Sequence, residues 1–355
     1  MKNHIVFTGG GTGGHVYPAL AIIEILRVEG YKISWIGSKK GIEYKIINNL
    51  GIDFYSIPSG KLRRYFSFRN FIDIFKISLG FLSSILLLIK LKPDLIFSKG
   101  GYVTVPPIVA AKIVKIKSIT HESDFDPGLA TRINSRFVNK ILVPYNETKE
   151  LISARYRNKV LVTGNPVRKE FFNPNGDKGL EAMGLKNDKP IILVLGGSLG
   201  AKQINDLILS DIDYLSSQYY IYHQMGEGNF IESKNKNYIS TPFITDNMAD
   251  IIKAADIVIS RSGAGAIWEF VTVGTPSLLI PLSVGSRGDQ LRNAEYFRKK
   301  GTSLILDGVE VNGNSLRDML DDYFFNLKNE MEFATKKLGA ENCAKKITDV
   351  IKELL

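Results

Sequence analysis

Two glycine-rich segments, about half a chain apart, each follow an apolar run of strand length and lead into a segment at helical spacing. The first is Gly9-Gly10-Gly11-Thr12-Gly13-Gly14-His15, after the run at 5–8. The second is Gly196-Gly197-Ser198-Leu199-Gly200-Ala201, after the run at 191–195. Glycines let the backbone close on an anion, and the N–H groups opening the next helix meet it. One such loop is a common phosphate-binding device. Two of them, in separate halves of 355 residues, predict two similar Rossmann-like α/β domains facing each other across a cleft, with a diphosphate ligand between them.

The rest of the pattern agrees. Apolar runs at 32–36, 95–98, 118–121 and 140–143 alternate with helical segments such as 18–29. The alternation restarts after Gly164-Asn165-Pro166, with runs at 219–223, 257–260, 277–280 and 303–306. Each half is therefore expected to be a parallel sheet covered by helices. The Gly164 turn and the polar stretch 173–189 mark the expected boundary, giving domains 1–163 and 164–335 and a terminal helix 336–355. In the tail Ala340, Ala344, Ile347, Ile351 and Leu354 share one helical face.

Charge is unevenly placed. The first 160 residues hold 24 Lys and Arg against 11 Asp and Glu, and the remainder 22 against 25. One domain is thus expected to meet a polyanionic surface, either nucleic acid or an anionic membrane leaflet, unless its basic face is simply solvated. The single cysteine, Cys343, excludes a disulfide framework, and residues 1–4 run into a strand without a cleavable leader. A reducing, non-exported setting is expected.

Segment 61–92 is the most unusual. It opens with Arg63 and Arg64 and continues through Phe68, Phe71, Ile74, Phe75, Leu79 and Leu82. Its apolar arc is wider than burying one face requires, yet the uninterrupted run is far short of the ~20 residues that span a bilayer. A helix lying on a membrane fits this pattern; a core helix plus an exposed loop is the alternative.

The glycine loops are not those of a dehydrogenase or a P-loop ATPase. Strand 33–36 and the Gly37-Ser38 that follows lack the carboxylate that holds a ribose, and neither loop completes the Lys-Ser/Thr ending. His15 stands where the first loop becomes a helix and is a candidate proton acceptor. Residues 121–128 place Glu122, Asp124 and Asp126 at another strand end. Asp124-Phe125-Asp126 and Asp211-Ile212-Asp213 have a metal-type spacing, but it is common by chance, and a helix N-terminus also neutralises phosphate. In the second half Gly263, Ala264, Gly265 and Ala266 open a helix carrying Glu269, and Asp289 and Gln290 offer groups suited to sugar hydroxyls.

Taken in order, Gly9–His15 with Val16-Tyr17-Pro18, Gly100-Gly101-Tyr102-Val103, His121-Glu122, Gly164-Asn165-Pro166-Val167-Arg168, Gly196–Ala201, Arg261–Ala264 and Gln290–Ala294 resemble the MurG family of peptidoglycan N-acetylglucosaminyltransferases. The resemblance spans nearly the whole chain. It implies the GT-B fold, with the last helix returning to the first domain. It also implies inverting transfer from UDP-GlcNAc to the C4 hydroxyl of the undecaprenyl-linked acceptor, lipid I, without a metal cofactor. His15 is the implied general base and Glu122 its rival. The implied donor set is Thr12, Gly13, Gly14, Asp124, Arg168, Ser198, Phe243, Ile244, Gly263–Ala266, Glu269, Asp289 and Gln290. Gly100, Gly101, Tyr102 and Thr104 would shape the acceptor pocket. The implied setting is peripheral, on the cytoplasmic face of the inner membrane, with an anionic leaflet and other cell-wall synthesis proteins as partners and no nucleic acid. Asp124, Gly265-Ala266 and Ser98 depart from the family pattern of Asn, Leu-Thr and Gly. The competing readings are a lipid glycosyltransferase acting on diacylglycerol, a sugar-nucleotide epimerase, and a non-enzymatic nucleotide-sugar or nucleic-acid binder.

Overall fold

The computed structural model describes residues 3–60, 69–197, 200–282, 288–308, 311–339 and 341–355. Arg63, Arg64, Phe68, Ser198 and Ala340, together with the side chains of Phe71 and Ile74, lie outside the described set. The chain packs as two units, residues 1–168 with 342–355, and residues 169–341.

The first unit contains β1 (His4–Thr8), β2 (Lys32–Gly37), β3 (Asp53–Ser56), β4 (Leu95–Ser98), β5 (Lys117–His121), β6 (Lys140–Val143) and β7 (Val160–Val162). These pair in parallel in the order β3-β2-β1-β4-β5-β6-β7. Both faces of β1 are covered. Ile5 and Phe7 pack into one core with Ile22, Leu26 and Trp35, whereas Val6 packs into the other with Ile96, Ile108 and Ile141. A strand buried on both faces reads as an unbroken apolar run, which is why it was visible in the sequence.

The main helices of this unit are α1 (Tyr17–Val28), α2 (Ile42–Asn49), α3 (Arg69–Leu91), α4 (Val105–Ile113) and α5 (Leu129–Asn134). The last helix of the chain, Cys343–Leu354, also belongs here and lies against α1. Ile347 and Ile351 enter the core beside Ile5 and Ile22, and Lys352 Nζ donates to Glu29 Oε1 at 2.7 Å.

α3 is amphipathic in the reverse sense. Asp73, Gly80, Ser84 and Leu88 are buried, while Phe75, Leu79, Leu82, Leu86 and Ile89 are exposed, Leu86 by 69%. The exposed residues recur every three or four positions, so they form one continuous outward stripe. Among the described residues no helix is long and apolar enough to cross a membrane.

The second unit repeats the plan with β8 (Ile191–Leu195), β9 (Tyr220–Gln224), β10 (Tyr238–Thr241), β11 (Ile257–Ser260), β12 (Ser277–Leu279) and β13 (Ser303–Ile305), in the order β10-β9-β8-β11-β12-β13. In each sheet the order reverses beside the first strand, between β1 and β4 and between β8 and β11. Ligands of parallel sheets gather beyond the strand ends at such a reversal. Both glycine loops emerge there.

The boundaries differ from those expected. Gly164–Arg168 stays with the first unit: Gly164 O is bonded to His121 Nε2 at 3.0 Å, and Asn165 Nδ2 donates to Ser123 O at 2.8 Å. The polar stretch 173–189 is no linker. It carries the helix Gly176–Met183, capped by Asn175 and packed on the helix Met248–Ala254. The helix Lys328–Gly339 likewise belongs to the second unit, against Ala264–Val273.

Ile347→Ala should therefore cost about 2–4 kcal/mol, read as a lower urea midpoint for the first unit, while the exposed Lys345→Ala should stay within about 0.5 kcal/mol of the parent.

Candidate functional site

In the first unit the chain leaves β1 through Gly9–Thr12 and makes one 3-10 turn, Gly13–His15, before α1 begins. His15 N donates to Thr12 O at 3.2 Å and Val16 N to Gly13 O at 2.9 Å. Thr12 and Gly14 stand exposed at the tip, and the Thr12 side chain caps nothing. Facing this turn is Lys99-Gly100-Gly101-Tyr102, at the end of the neighbouring strand β4. Gly100 and Gly101 have φ of +94° and +87°. A Cβ on Gly100 would stand 3.3 Å from His15 Nδ1, and one on Gly101 would stand 2.2 Å from Gly10 O and 3.3 Å from His15 Cδ2. The bare backbone of these two glycines is the seat of the imidazole ring.

His15 is half-buried, and its buried Nδ1 has no hydrogen-bond partner among the described residues. Burial lowers the pKa of the ring, and the positive charge of Lys99 lowers it further; Glu122 and the Lys99 carbonyl act in the opposite direction. Near pH 7 the ring is therefore neutral and able to accept a proton, the property the sequence reading required.

Two buried charges behind this turn escaped the sequence reading. Glu43, in the first turn of α2, is fully buried, with Oε2 accepting from Gly11 N at 3.3 Å and Oε1 from Ser38 N at 3.1 Å. A Cβ on Gly10 or on Gly41 would fall 2.4 or 2.1 Å from that carboxylate. Two glycine turns thus close over one anion. Its presence five residues beyond Ser38 was on view, but a carboxylate was sought at the strand end, where ribose is held. Lys99 is 1% exposed and its Nζ donates to Ser123 Oγ. Burial pushes its pKa down to about 8 against the opposing pull of Glu122 and Asp124.

Glu122, the rival base, is occupied. Oε1 accepts from Ser123 N at 2.8 Å and Asp124 N at 3.2 Å, and Oε2 from Gly128 N at 2.9 Å and Thr131 Oγ1 at 2.6 Å. This carboxylate ties the turn after β5 to the start of α5, and four donors leave it little capacity for a substrate proton. Its neighbour His121 is wholly buried, and burial holds it neutral. Thr104 is likewise no pocket wall: it is fully buried, donates to Gly101 O at 2.9 Å and accepts from Asn134 Nδ2 at 3.0 Å. It props the loop that Gly100, Gly101 and Tyr102 expose. Arg168 sits in the first unit with its guanidinium 5.6 Å from the Tyr17 ring centroid, as do Thr12, Gly13, Gly14 and Asp124; the rest of the expected donor set, Ser198 aside, belongs to the other unit.

The second unit holds that set. The helix Ala264–Val273 begins at Gly263 with no side-chain cap, and the positions beside Gly263 and Gly265 are open. Its first N–H groups are therefore free of a capping side chain and presented for an anion. Ser262, just before it, is fully buried, with an Oγ that has no partner among the described residues; the sequence reading passed over it. Glu269 is half-buried on the same helix. Gln290, in the first turn of the helix Asp289–Lys299, accepts from Leu282 N at 2.9 Å, and Asp289 accepts from Arg292 Nη2 at 3.2 Å. Both expected sugar-reading groups are thus already oriented by neighbours. Phe243 is exposed, but Ile244 N is engaged by Gln224 Oε1 at 3.0 Å, so only the carbonyl of that peptide pair is left for a ligand. Gln224 Nε2 also holds Gly197 O at 3.0 Å, linking the second glycine loop to this turn. Asp211 forms a two-pronged ion pair with Arg317.

Residues 5–143 match the glycosyltransferase family 28 N-terminal domain and residues 191–353 its C-terminal domain. The chain is 47% identical to the UDP-N-acetylglucosamine–N-acetylmuramyl-(pentapeptide) pyrophosphoryl-undecaprenol N-acetylglucosamine transferase of Treponema denticola, over 98% of this chain and 97% of that one. It is 42% identical to the enzyme of the same name from Legionella pneumophila, over 99% and 97%. The crystal structure of Acinetobacter baumannii MurG superposes with a TM-score of 0.78 at 25% identity, covering 99% of each chain. A Listeria monocytogenes putative UDP-N-acetylglucosamine 2-epimerase, at 14% identity and a TM-score of 0.70 over 99% of this chain and 96% of that one, shares the fold alone.

Glu43→Ala would strand the buried Ser38 N–H and release the Gly11 N–H, and should cost about 1–3 kcal/mol by chemical denaturation, whereas Glu43→Gln, which keeps an acceptor oxygen, should cost less.

Proposed function

The chain belongs to glycosyltransferase family 28, in the MurG group of UDP-N-acetylglucosamine–N-acetylmuramyl-(pentapeptide) pyrophosphoryl-undecaprenol N-acetylglucosamine transferases, and from that premise we propose how its residues divide the reaction. The observation that carries the reading is the His15 ring, seated on Gly100-Gly101 at the strand-order reversal, with its pKa lowered by burial.

His15 is the general base. It takes the proton of the acceptor C4 hydroxyl as that oxygen bonds to C1 of N-acetylglucosamine. The bond from C1 to the β-phosphate oxygen breaks, its electron pair leaves with UDP, and the anomeric configuration inverts. His15 then carries the proton as imidazolium. Glu122 serves by fixing the loop beside it. Gly100, Gly101 and Tyr102 border the acceptor, with Thr104 supporting them from below, and Thr12, Gly13 and Gly14 cover the reacting centre. In the second unit the N–H groups at Gly263–Ala266 stabilise the departing diphosphate. Glu269 holds the ribose, Asp289 and Gln290 read the sugar hydroxyls, and Phe243 with the Ile244 carbonyl receives the uracil. Because helix N–H groups meet the diphosphate charge, the proposed chemistry calls on no metal.

The acceptor is lipid-linked, and the outward stripe of α3 suits a membrane. Phe75, Leu79, Leu82, Leu86 and Ile89 would enter the interfacial layer while the basic N-terminal half faces an anionic leaflet. We place the enzyme peripherally on the cytoplasmic face of the inner membrane.

Purified protein given radiolabelled UDP-GlcNAc and a lipid I analogue should transfer label in the presence of EDTA, and His15→Ala should lower kcat by about 10²–10⁴-fold. Transfer to diacylglycerol instead, or none beyond turnover of UDP-GlcNAc, would remove the assignment. Since burial and Lys99 depress the His15 pKa, kcat/KM should rise with pH through a midpoint below the ordinary imidazole value of 6.5 and be level near pH 7. Replacing Phe75, Leu82 and Leu86 together by Ser should weaken binding to anionic vesicles by about tenfold or more, with turnover of a short-chain acceptor retained.

A further inference from the structure

Lys99 has no evident structural reason to be a lysine. It lies at the end of β4, its N–H donating to Thr8 O at 2.8 Å, and its Cβ would be 3.4 Å from a Cβ on Gly9. Its side chain runs inward, 1% exposed, and its ammonium reaches the neutral hydroxyl of Ser123. Glu122, the anion that acts most strongly on it, already accepts four hydrogen bonds from its own loop and helix. The field of a cation so enclosed, with Glu122 and Asp124 acting on it, falls on its neighbours. The next two residues, Gly100 and Gly101, are the seat of the His15 ring.

We propose that Lys99 is a positioning residue for the transfer: its buried ammonium, anchored on Ser123, holds His15 in the proton-accepting state. This rests on the reading of His15 as the base. The charged and titratable groups around the pair are Lys99 itself on the loop after β4, and His121, Glu122 and Asp124 on β5 and its loop. Glu43 lies beneath Gly10 and Gly11 on the other side. Of these, Lys99 is the charge that disfavours imidazolium and Glu122 the one that favours it. The Lys99 ammonium titrates at about 8, above the range in which His15 changes state, so the cation is present throughout the His15 titration. The arrangement would also make the proton taken from the acceptor easy to release, since imidazolium beside an ammonium is disfavoured.

The test is to follow the four imidazole titrations by NMR in the full-length protein, assigning His15 with His15→Gln, in the parent, Lys99→Met and Lys99→Arg. Lys99→Met should move the His15 midpoint up by about half a pH unit or more, and the acid limb of kcat/KM should follow it. Lys99→Arg, which keeps the charge, should restore both to parental values. The resonance of His4, which opens β1 at the end opposite the glycine loop, reports whether the first unit of each variant is folded. An unmoved His15 midpoint in folded Lys99→Met overturns the proposal. A midpoint that moves while the acid limb does not also overturns it, and in that case the fault lies in the assignment of His15 as base.

Discussion

Each sheet reverses its strand order once, and that reversal is the constraint on which the chemistry of this chain depends. A right-handed crossover must carry the chain to one side of β1 and later to the other, and the loops that part at this seam leave a space no crossover helix fills. The first unit places the His15 turn and the Lys99–Tyr102 loop at its seam; the second places Gly196-Gly197 and Arg261–Ala264 there. The glycines follow from geometry, because two backbones must approach each other, an imidazole or an anion.

Buried charge is the second organising theme. Glu43 and Glu122 are both enclosed and both met largely by backbone N–H groups, so each fixes the path of a loop. Lys99 is enclosed with a single neutral partner among the described residues. The second unit treats its buried polar groups differently. Asn205, His223 and Tyr238 form a satisfied chain beneath its glycine loop, with His223 held near pKa 4 by burial. Both ring nitrogens of His223 are engaged in that chain.

What could be read from the sequence follows from burial. The central strands are covered on both faces and stand out as apolar runs. The three that went unrecognised, β3, β7 and β10, are edge strands, and at an edge half the packing is missing and polar residues such as Asp53 and Thr241 are admitted. The stretch 173–189 looked like a linker because its helix shows a narrow apolar side to its neighbour. His15, the glycines and the helix at Ala264 were recoverable from spacing, since local sequence places them. Glu43 and Lys99 were not, because their meaning depends on which loop crosses over them. The engaged state of Thr104 and of the Ile244 N–H was hidden for the same reason, since their partners Asn134 and Gln224 lie thirty and twenty residues away; the Glu122 partners are within nine residues, but only the fold of the loop turns their N–H groups inward.

The return of the last helix to the first unit has a consequence for how the chain comes into being. Residues 169–341 form a continuous unit that can close as soon as they have left the ribosome. The first unit still lacks Ile347 and Ile351 on the face of α1 until the residues beyond 341 have been made. The N-terminal half must therefore wait with part of its core open while its younger partner folds, and that interval is when a chaperone or the nascent chain's own basic surface has most work to do.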